Sequence, residues 1–274
     1  MCEIGKVSRS GYYRWLKNCG RPDEDENDYL IINELFEKGK RKLGWRSIQM
    51  RLKNEKQIIM NHKKIIRIMK KYQLFVKIRR RNPYKFIAKK TQEHRTFENK
   101  LNREFRQLIP FRVFCTDITY MFFGRQLAYL SVIKDICSGE IVAWEMSMHI
   151  DMRLVVGTVE KLKSNDSLPI ESLSEILIHS DQGFHYTNPL YIKMVKDLDM
   201  VQSMSRKGNC IDNAPMESFF GHLKDEVNYE NCQSFGELKQ LIGEYIEYYN
   251  NRRYQWKLKK MTPVEYRNHL LNPS

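Results

Sequence analysis

The first quarter of the chain carries apolar residues at the spacing of three to four that is typical of helices. This pattern predicts four short helices, at residues 7–17, 29–38, 44–57 and 61–74. An acidic polar stretch, 21–28, is a predicted linker between the first two. The apolar positions of the second helix are Leu30, Ile31, Leu35 and Phe36.

The third and fourth predicted helices form a pair. Ile48 and Leu52 share one face of the third, and Asn61 is a candidate N-cap for the fourth. Two short helices of this kind, the second one basic, resemble a helix-turn-helix, and a generic amphipathic hairpin has the same pattern. The apolar stripe of the fourth helix consists of Ile65, Ile66, Met69 and Tyr72.

From about residue 110 the pattern changes to runs of β-branched and aromatic residues, which predict strands. Three strands come first, and helices then alternate with two more, an order that favours a mixed α/β layer fold. The predicted strands are 111–123, 126–135, 140–148, 174–183 and 201–205. The predicted helices are 152–166, 188–200, 214–228 and 236–256, with a further helix start at Thr262.

The positive charge is concentrated in one segment. The chain carries a net charge of +14, yet residues 38–95 hold 21 Lys and Arg against two acids, and the remainder holds 26 basic and 31 acidic residues. A basic block of this density is an electrostatic footprint for a polyanion, because counterion release drives such binding. A solvated lysine-rich surface or a flexible basic arm would have the same composition. The helical periodicity of the block favours nucleic acid.

Candidate DNA contacts lie on the fourth predicted helix, just after it, and near the end of the chain. The arginines after the helix would run along phosphates, which adds affinity without sequence choice. Arg252 and Arg253 stand beside aromatic residues that could stack on DNA or pack in the core. The other candidates are Lys63, Lys64, Arg67, Lys70, Arg79, Arg80 and Arg81.

Composition argues against several classes of protein. No apolar run approaches the ~20 residues that a bilayer span needs. Residues 1–17 lack the apolar stretch of a signal peptide. The six cysteines include no close pair, so neither a disulfide framework nor a zinc knuckle is expected. The expectation is a cytoplasmic protein with no membrane partner.

Three acidic residues stand at positions that suit a hard cation. Asp117 shares a face of the first predicted strand with Cys115 and Thr119, where a lone carboxylate is costly unless it is paired or bound to a cation. Asp181 follows a buried strand at its C-terminal edge, where α/β sheets usually build their sites. Glu217 lies in the first turn of a predicted helix and can project toward the sheet.

Carboxylates on rigid elements suit Mg²⁺ or Mn²⁺. Two such ions about 4 Å apart can activate an attacking oxygen and stabilise the leaving oxygen at a phosphodiester. Lys224, two helical turns beyond Glu217, faces the same side and could hold a phosphate. Each acid taken singly also fits a solvated surface acid or a helix cap. The 35 residues between Asp181 and Glu217 are a spacing that chance supplies in a chain with 33 Asp and Glu residues, so the flanking residues decide.

Those flanks carry a resemblance, since five blocks occur in order at compatible distances. They resemble the DDE transposases of bacterial insertion sequences, specifically the second-reading-frame product of the IS-three family, within the retroviral-integrase superfamily. The catalytic match covers roughly 110–262, and the basic helical unit at about 40–90 resembles the domain that precedes the core. The blocks are TDITY at 116–120, SVIKD at 131–135, HSDQG at 179–183, SMSRKGNCIDNAPMESFFGHLK at 203–224 and YYNNRRYQW at 248–256.

The resemblance implies a ribonuclease-H-like core, a mixed five-stranded sheet with flanking helices, preceded by a small all-helical, basic, helix-turn-helix-like domain. The expected organisation is an N-terminal helical segment and linker at 1–28, the basic domain at 29–95, the integrase-type core at 108–262 and a C-terminal tail at 263–274. The resemblance also implies that Asp117, Asp181 and Glu217 are catalytic ligands of two Mg²⁺ or Mn²⁺ ions. Lys224 becomes a DNA contact.

The implied activity is cleavage at an insertion-sequence end, followed by attack of the freed 3′-hydroxyl on a phosphodiester. The implied partners are the terminal inverted repeats, target DNA, further copies of this chain on DNA, and the first-reading-frame product of the same element. The chain is expected to be the second-frame product alone or part of a frameshift fusion. Its expected location is the bacterial cytoplasm, at the nucleoid.

Two other functions stay open from the residues. A non-catalytic DNA-binding regulator would use residues 40–90, although the presence of all three carboxylates argues against a decayed core. A ribonuclease-H-like nuclease acting on RNA–DNA hybrids is disfavoured by the basic helical unit. Among polar neighbours, His179 and His185 are expected to be structural rather than metal ligands, since hard cations prefer oxygen. Asn213 is expected to cap the Glu217 helix.

Overall fold

The structure, a computed structural model, describes residues 7–18, 25–76, 96–166, 168, 176–206 and 210–272. The chain divides into two compact units, Met1–Lys77 and Ile78–Ser274. Arg79, Arg80 and Arg81 lie outside the described residues. Within the described residues, no helix is long and apolar enough to cross a membrane.

The described part of the first unit is helical, as the spacing predicted. The second helix begins at Glu26, inside the stretch predicted as a linker. Asn61 caps the fourth helix, because its side chain accepts a hydrogen bond from the backbone N–H of Lys63. The helices are α1 (Arg9–Asn18), α2 (Glu26–Lys38), α3 (Trp45–Lys56) and α4 (His62–Lys71).

The core of this unit corrects two predicted apolar positions. Ile66 was assigned to the buried stripe of α4 but is 41 % exposed, while Ile68 is fully buried. Each helical residue turns the side chain by about 100°, which puts Ile65 and Ile68 on one side and Ile66 off it. Leu30 of α2 is likewise exposed at 57 %. The buried core is shared by α2, α3 and α4.

The second unit contains five strands, six α-helices and two short 3-10 helices among its described residues. The strands are β1 (Val113–Phe123), β2 (Gln126–Asp135), β3 (Ile141–Ser147), β4 (Leu177–Ser180) and β5 (Val201–Met204). The helices are α5 (Met152–Lys163), α6 (Phe184–Thr187), α7 (Pro189–Asp197), α8 (Ala214–Glu226), α9 (Phe235–Asn251) and α10 (Pro263–Leu271).

The strands form one mixed sheet in the order β3-β2-β1-β4-β5. β1, β2 and β3 are an antiparallel meander, whereas β4 and β5 run parallel to β1 and to each other. Gly139 supplies the turn between β2 and β3 with a φ of +76°, a backbone conformation that favours glycine. The predicted five-stranded fold is thereby confirmed.

Alternate residues of β1 pack on opposite faces of this sheet. Cys115 and Met121 lie in one apolar cluster with Phe219 of α8 and Ile242 of α9. Phe114 lies in the other cluster, with residues of α5 and α7. Asp117 has the parity of Cys115, so it points toward the α8 side.

The end of the chain departs from the sequence pattern. The last long helix was predicted to reach residue 256, but α9 stops at Asn251. A short non-helical segment follows, and α10 starts behind a complete capping box formed by Thr262 and Glu265. Arg252 and Arg253 therefore leave the helix, which allows Arg253 to turn back toward α8.

Candidate active site

Sheet register brings Asp117 and Asp181 together. β1 and β4 are parallel, and Cys115 pairs with His179. Asp117 and Asp181 each lie two residues beyond that pair. Adjacent strands are about 4.8 Å apart. The side chains of the two aspartates therefore project from neighbouring positions on the same face of the sheet.

Tyr186 provides a second observation of that proximity. Its ring is buried, and its hydroxyl lies 3.4 Å from the Thr116 hydroxyl. Burial raises the pKa of Tyr186 well above its ordinary value, and the negative charges of Asp117 and Asp181 raise it further. Both carboxylates are thus within electrostatic reach of one phenol.

Each aspartate is oriented by a backbone amide. Asp117 Oδ1 accepts a hydrogen bond from the Ile118 N–H at 2.8 Å. Asp181 Oδ1 accepts one from the Gly183 N–H, also at 2.8 Å. A Cβ atom at residue 183 would lie 2.8 Å from the same Asp181 oxygen, so a larger residue there would displace this carboxylate oxygen.

The start of α8 is tied to Asp117 by Asn213. Asn213 occupies the N-cap position, but its side chain makes no cap hydrogen bond, so its predicted capping role was wrong. The Nδ2 atom instead donates to Asp117 Oδ2 at 3.1 Å. Glu217 stands one helical turn farther along α8, with its side chain exposed. Glu217, the third predicted ligand, therefore lies on the helix whose N-cap residue contacts Asp117, the first predicted ligand.

The three carboxylates do not form a ready-made cluster. Among the residues that the structure describes, no group of three or more His, Cys, Asp and Glu side chains is positioned to hold a metal ion. The adjoining aspartates supply carboxylate oxygens, the donors that Mg²⁺ prefers, so the residues present fit such an ion. The ligand assignment stays a prediction, and it requires Glu217 to approach the pair.

A buried lysine, which the sequence analysis did not single out, supports the same end of α8. Lys134 of β2 is buried, and its Nζ donates to the Pro215 carbonyl at 3.2 Å. This carbonyl belongs to the first turn of α8, two residues before Glu217. A lysine directly after Val132 and Ile133 in a predicted strand was the available signal, since lysine is almost never buried unless it is paired.

The other end of α8 is fixed by an ion pair that involves a predicted DNA contact. Arg253 donates to both carboxylate oxygens of Glu226 at 2.6 to 3.0 Å, and its side chain is only 16 % exposed. Burial alone would lower the pKa of Arg253, but the Glu226 carboxylate reverses this and raises it. The Tyr245 hydroxyl donates to the same carboxylate. Arg253 thus has a structural partner, whereas Arg252 is exposed.

Lys224 and the two histidines lie near this site in different roles. The Lys224 ammonium lies 4.6 Å from the centre of the Tyr120 ring. His179 is buried, with its ring nitrogens 2.9 and 3.1 Å from the hydroxyls of Ser203 and Ser205, so its structural role is confirmed. Burial lowers the pKa of His179 to about 4. His185 contacts a backbone carbonyl at 3.4 Å.

In the helical unit, part of the predicted DNA surface is paired internally. Arg67 bonds to Asp25 at 2.6 Å, and Lys64 bonds to Asp28. Lys63 and Lys70 are exposed. Of the predicted DNA contacts on α4, Lys64 and Arg67 are therefore paired with acidic residues, whereas Lys63 and Lys70 are exposed.

Comparison with known proteins finds family models that match successive parts of the chain. A model of an HTH-like domain matches residues 22–82, and two models of an integrase core domain match residues 107–210 and 217–271. A simian T-cell lymphotropic virus intasome chain has the same fold, with a TM-score of 0.50, 14 % identity, and coverage of 80 % of this chain and 74 % of that chain.

Curated relatives extend over the whole chain. The putative transposase InsK of insertion sequence element IS150 from Escherichia coli is 35 % identical over 100 % of this chain and 94 % of its own length. A transposase-like protein of Haemophilus influenzae is 36 % identical over 81 % of this chain and all of its own length. The transposase InsF of insertion sequence IS3A from Escherichia coli is 26 % identical over 93 % of this chain and 89 % of its own length.

The integrase-core fold and these relatives define a polynucleotidyl transferase that acts on DNA. The chain belongs to the insertion-sequence transposases that combine an HTH-like domain with an integrase core. The family resemblance seen in the sequence is thereby confirmed.

Proposed function

We propose that this transposase cleaves insertion-sequence ends and joins the freed 3′-hydroxyl to target DNA, with Asp117, Asp181 and Glu217 as the catalytic carboxylates. The observation that carries the proposal is the parallel pairing that puts Asp117, within β1, beside Asp181, at the C-terminal end of β4, with the Glu217 helix tied to Asp117 through Asn213. Such strand ends are where α/β sheets usually hold reacting groups.

Two successive displacements at phosphorus account for the activity. In the first, a water oxygen attacks the scissile phosphate, and the bond to the 3′-oxygen breaks, leaving a 3′-hydroxyl. In the second, that hydroxyl oxygen attacks a phosphate of the target strand, and the target's own 3′-oxygen leaves. Bound Mg²⁺ or Mn²⁺ would supply Lewis-acid stabilisation of the attacking and leaving oxygens.

The protein's own residues hold and orient in this scheme. Asp117, within β1, and Asp181, just after β4, would hold the cations, and Glu217 would supply the third carboxylate. Asn213 orients Asp117 through its amide and leaves Oδ1 to the Ile118 N–H. Lys224 binds a backbone phosphate beside Tyr120, whose partly exposed ring could stack on a base.

The helical unit and the partners belong to the same proposal. The HTH-like unit binds the terminal inverted repeats of the element, and several copies of the chain assemble on the two ends. The first-reading-frame product of the same element joins them. The exposed Lys63 and Lys70 and the basic segment that follows α4 supply the charge for phosphate contacts.

The test is a strand-cleavage assay on duplexes that carry the element's inverted repeats, with the first-frame product present. Wild-type protein should nick the end in Mg²⁺ and join it to target DNA. Asp181→Asn should retain end binding and lose both steps. Binding without nicking by wild-type protein would favour a regulator, and degradation of an RNA–DNA hybrid without joining would favour a nuclease.

A further inference from the structure

The exposed surface of α4 has two flanks of different charge. On one flank, Lys64 is paired with Asp28, and Arg67 is paired with Asp25. The Lys71 ammonium also lies 3.3 Å from Asp25. A DNA phosphate approaching this flank would meet the carboxylates as well as the cations, so the attraction is reduced.

The opposite flank has no such acidic cover. Lys63, Ile66 and Lys70 follow each other at intervals of three and four residues, which puts them in one row along the helix. All three are exposed. Among the described residues, neither Lys63 nor Lys70 has an acidic partner. This row is therefore the most positive strip of α4 that the structure describes.

Ile66 lies in the middle of that strip. Its side chain is 41 % exposed, whereas Ile65 and Ile68 are fully buried in the core. An isoleucine cannot donate or accept a hydrogen bond, so it can read a base pair only by apolar contact. The 5-methyl group of thymine is the apolar group that the major groove presents.

We propose that the Lys63–Ile66–Lys70 row enters the major groove and that Ile66 is a specificity-determining residue that contacts the 5-methyl group of a thymine. Lys63 and Lys70 bind flanking phosphates and position the helix. The Asp25 and Asp28 flank faces away from the duplex. This inference rests on the DNA-binding part of the proposed function.

The experiment measures binding of the full chain to duplex DNA in two stages. The protein first selects its tightest partner from a pool of random-sequence duplexes at fixed salt. Each thymine of the selected duplex is then replaced singly by deoxyuridine, which lacks only the 5-methyl group. For wild-type protein, one replacement should weaken binding about fourfold, the ratio expected for losing one buried methyl contact.

The same series is measured with Ile66→Ala and with Leu30→Ala as the matched control. Leu30 is an exposed apolar residue on α2, so its truncation removes similar surface without touching α4. Ile66→Ala should bind the thymine and deoxyuridine duplexes equally, whereas Leu30→Ala should keep the wild-type ratio. Circular dichroism checks that both variants stay helical.

The outcomes separate this inference from the proposed function. A wild-type protein that selects a duplex but tolerates every deoxyuridine overturns the role of Ile66 and leaves the transposase proposal intact. A deoxyuridine penalty that persists in Ile66→Ala assigns the methyl contact to another residue and also overturns it. A wild-type protein that retains no duplex contradicts DNA binding by this unit, and with it both proposals.

Discussion

Asp117 and Asp181 are held by the sheet, whereas Glu217 is held by a helix. The positions of the aspartates follow from backbone hydrogen bonds between β1 and β4, which do not depend on side-chain identity. The position of Glu217 follows from side-chain bonds, of Asn213 to Asp117, of Lys134 to the α8 first turn and of Arg253 to Glu226. The two halves of the site should therefore respond differently to substitution.

In the candidate site, two positions are set by the sheet, and the third can be altered without changing the sheet. Asp117 and Asp181 are kept in place by backbone pairing in the sheet, and Glu217, the third proposed ligand, lies on an exposed helical turn that three side chains anchor. Substitutions in the sheet half should change stability and chemistry together. Substitutions in the helix half can separate them.

The largest effect is expected from neutralising any one carboxylate. Asp117→Asn, Asp181→Asn and Glu217→Gln should each reduce strand cleavage about a thousandfold or more, because each removes a negative charge proposed to hold the cations beside the reacting phosphate. Cleavage of inverted-repeat duplexes in Mg²⁺ measures this. Glu217→Gln should leave unfolding by urea unchanged, since the side chain is exposed. Equal activity of Glu217→Gln and wild type would remove the helix half from the site.

Breaking the α8 anchor comes next. Arg253→Met should lower the free energy of unfolding by about 3 to 5 kcal/mol, because it leaves the Glu226 carboxylate partly buried and unpaired. Urea titration measures this. Arg252→Met is the matched control and should change stability by less than about 0.5 kcal/mol, since Arg252 is exposed. A weaker salt dependence of DNA binding in Arg253→Met at unchanged stability would instead assign Arg253 to DNA.

Low pH should reduce the free energy of unfolding through protonation of His179. The folded-state pKa of His179 is lowered to about 4 from the ordinary 6.5, because burial disfavours its protonated form. The unfolded chain therefore takes up the proton first, so this contribution to stability is complete above pH 6.5 and is lost as the pH falls toward 4. The loss should reach about 3 kcal/mol.

Urea titrations at several pH values measure this loss. His179→Asn removes the titrating ring, so its stability should depend less steeply on pH across the same window. Identical slopes for wild type and variant would show that His179 does not carry the effect.

The smallest of these effects concerns the bond that joins the two halves. Asn213→Ala removes the amide that orients Asp117 and should reduce cleavage about 10- to 100-fold, the range for residues that orient metal ligands. The concentration of Mn²⁺ needed for half-maximal cleavage should rise, which a purely structural role would not cause. Wild-type Mn²⁺ dependence in this variant would contradict the positioning role.

The sequence predicted the elements well because their periodicity is local. The β-branched and aromatic runs of β1 and β2 and the apolar spacing in α5, α8 and α9 can be seen in a short window of residues. Asp117 and Asp181 could be proposed because each lies at a recognisable point of a strand. Their side-by-side register could not be predicted by pattern, since it depends on parallel pairing of segments more than 60 residues apart.

Side chains with distant partners were harder to predict. Asn213 has the residue type and position of a helix cap, yet its amide bonds to Asp117 from another element. Arg253 resembles a DNA contact by charge, and its partner Glu226 lies 27 residues earlier. Ile66 belongs to an apolar run, but only the packing of α4 decides which isoleucine faces inward.

Binding of Mn²⁺ to the protein on inverted-repeat DNA, followed by electron paramagnetic resonance of the free ion, tests the central claim most directly. If Asp117, Asp181 and Glu217 share the cations, each single amide variant should weaken Mn²⁺ binding at least about tenfold. Wild-type Mn²⁺ affinity in Glu217→Gln would contradict a site shared between the sheet and α8.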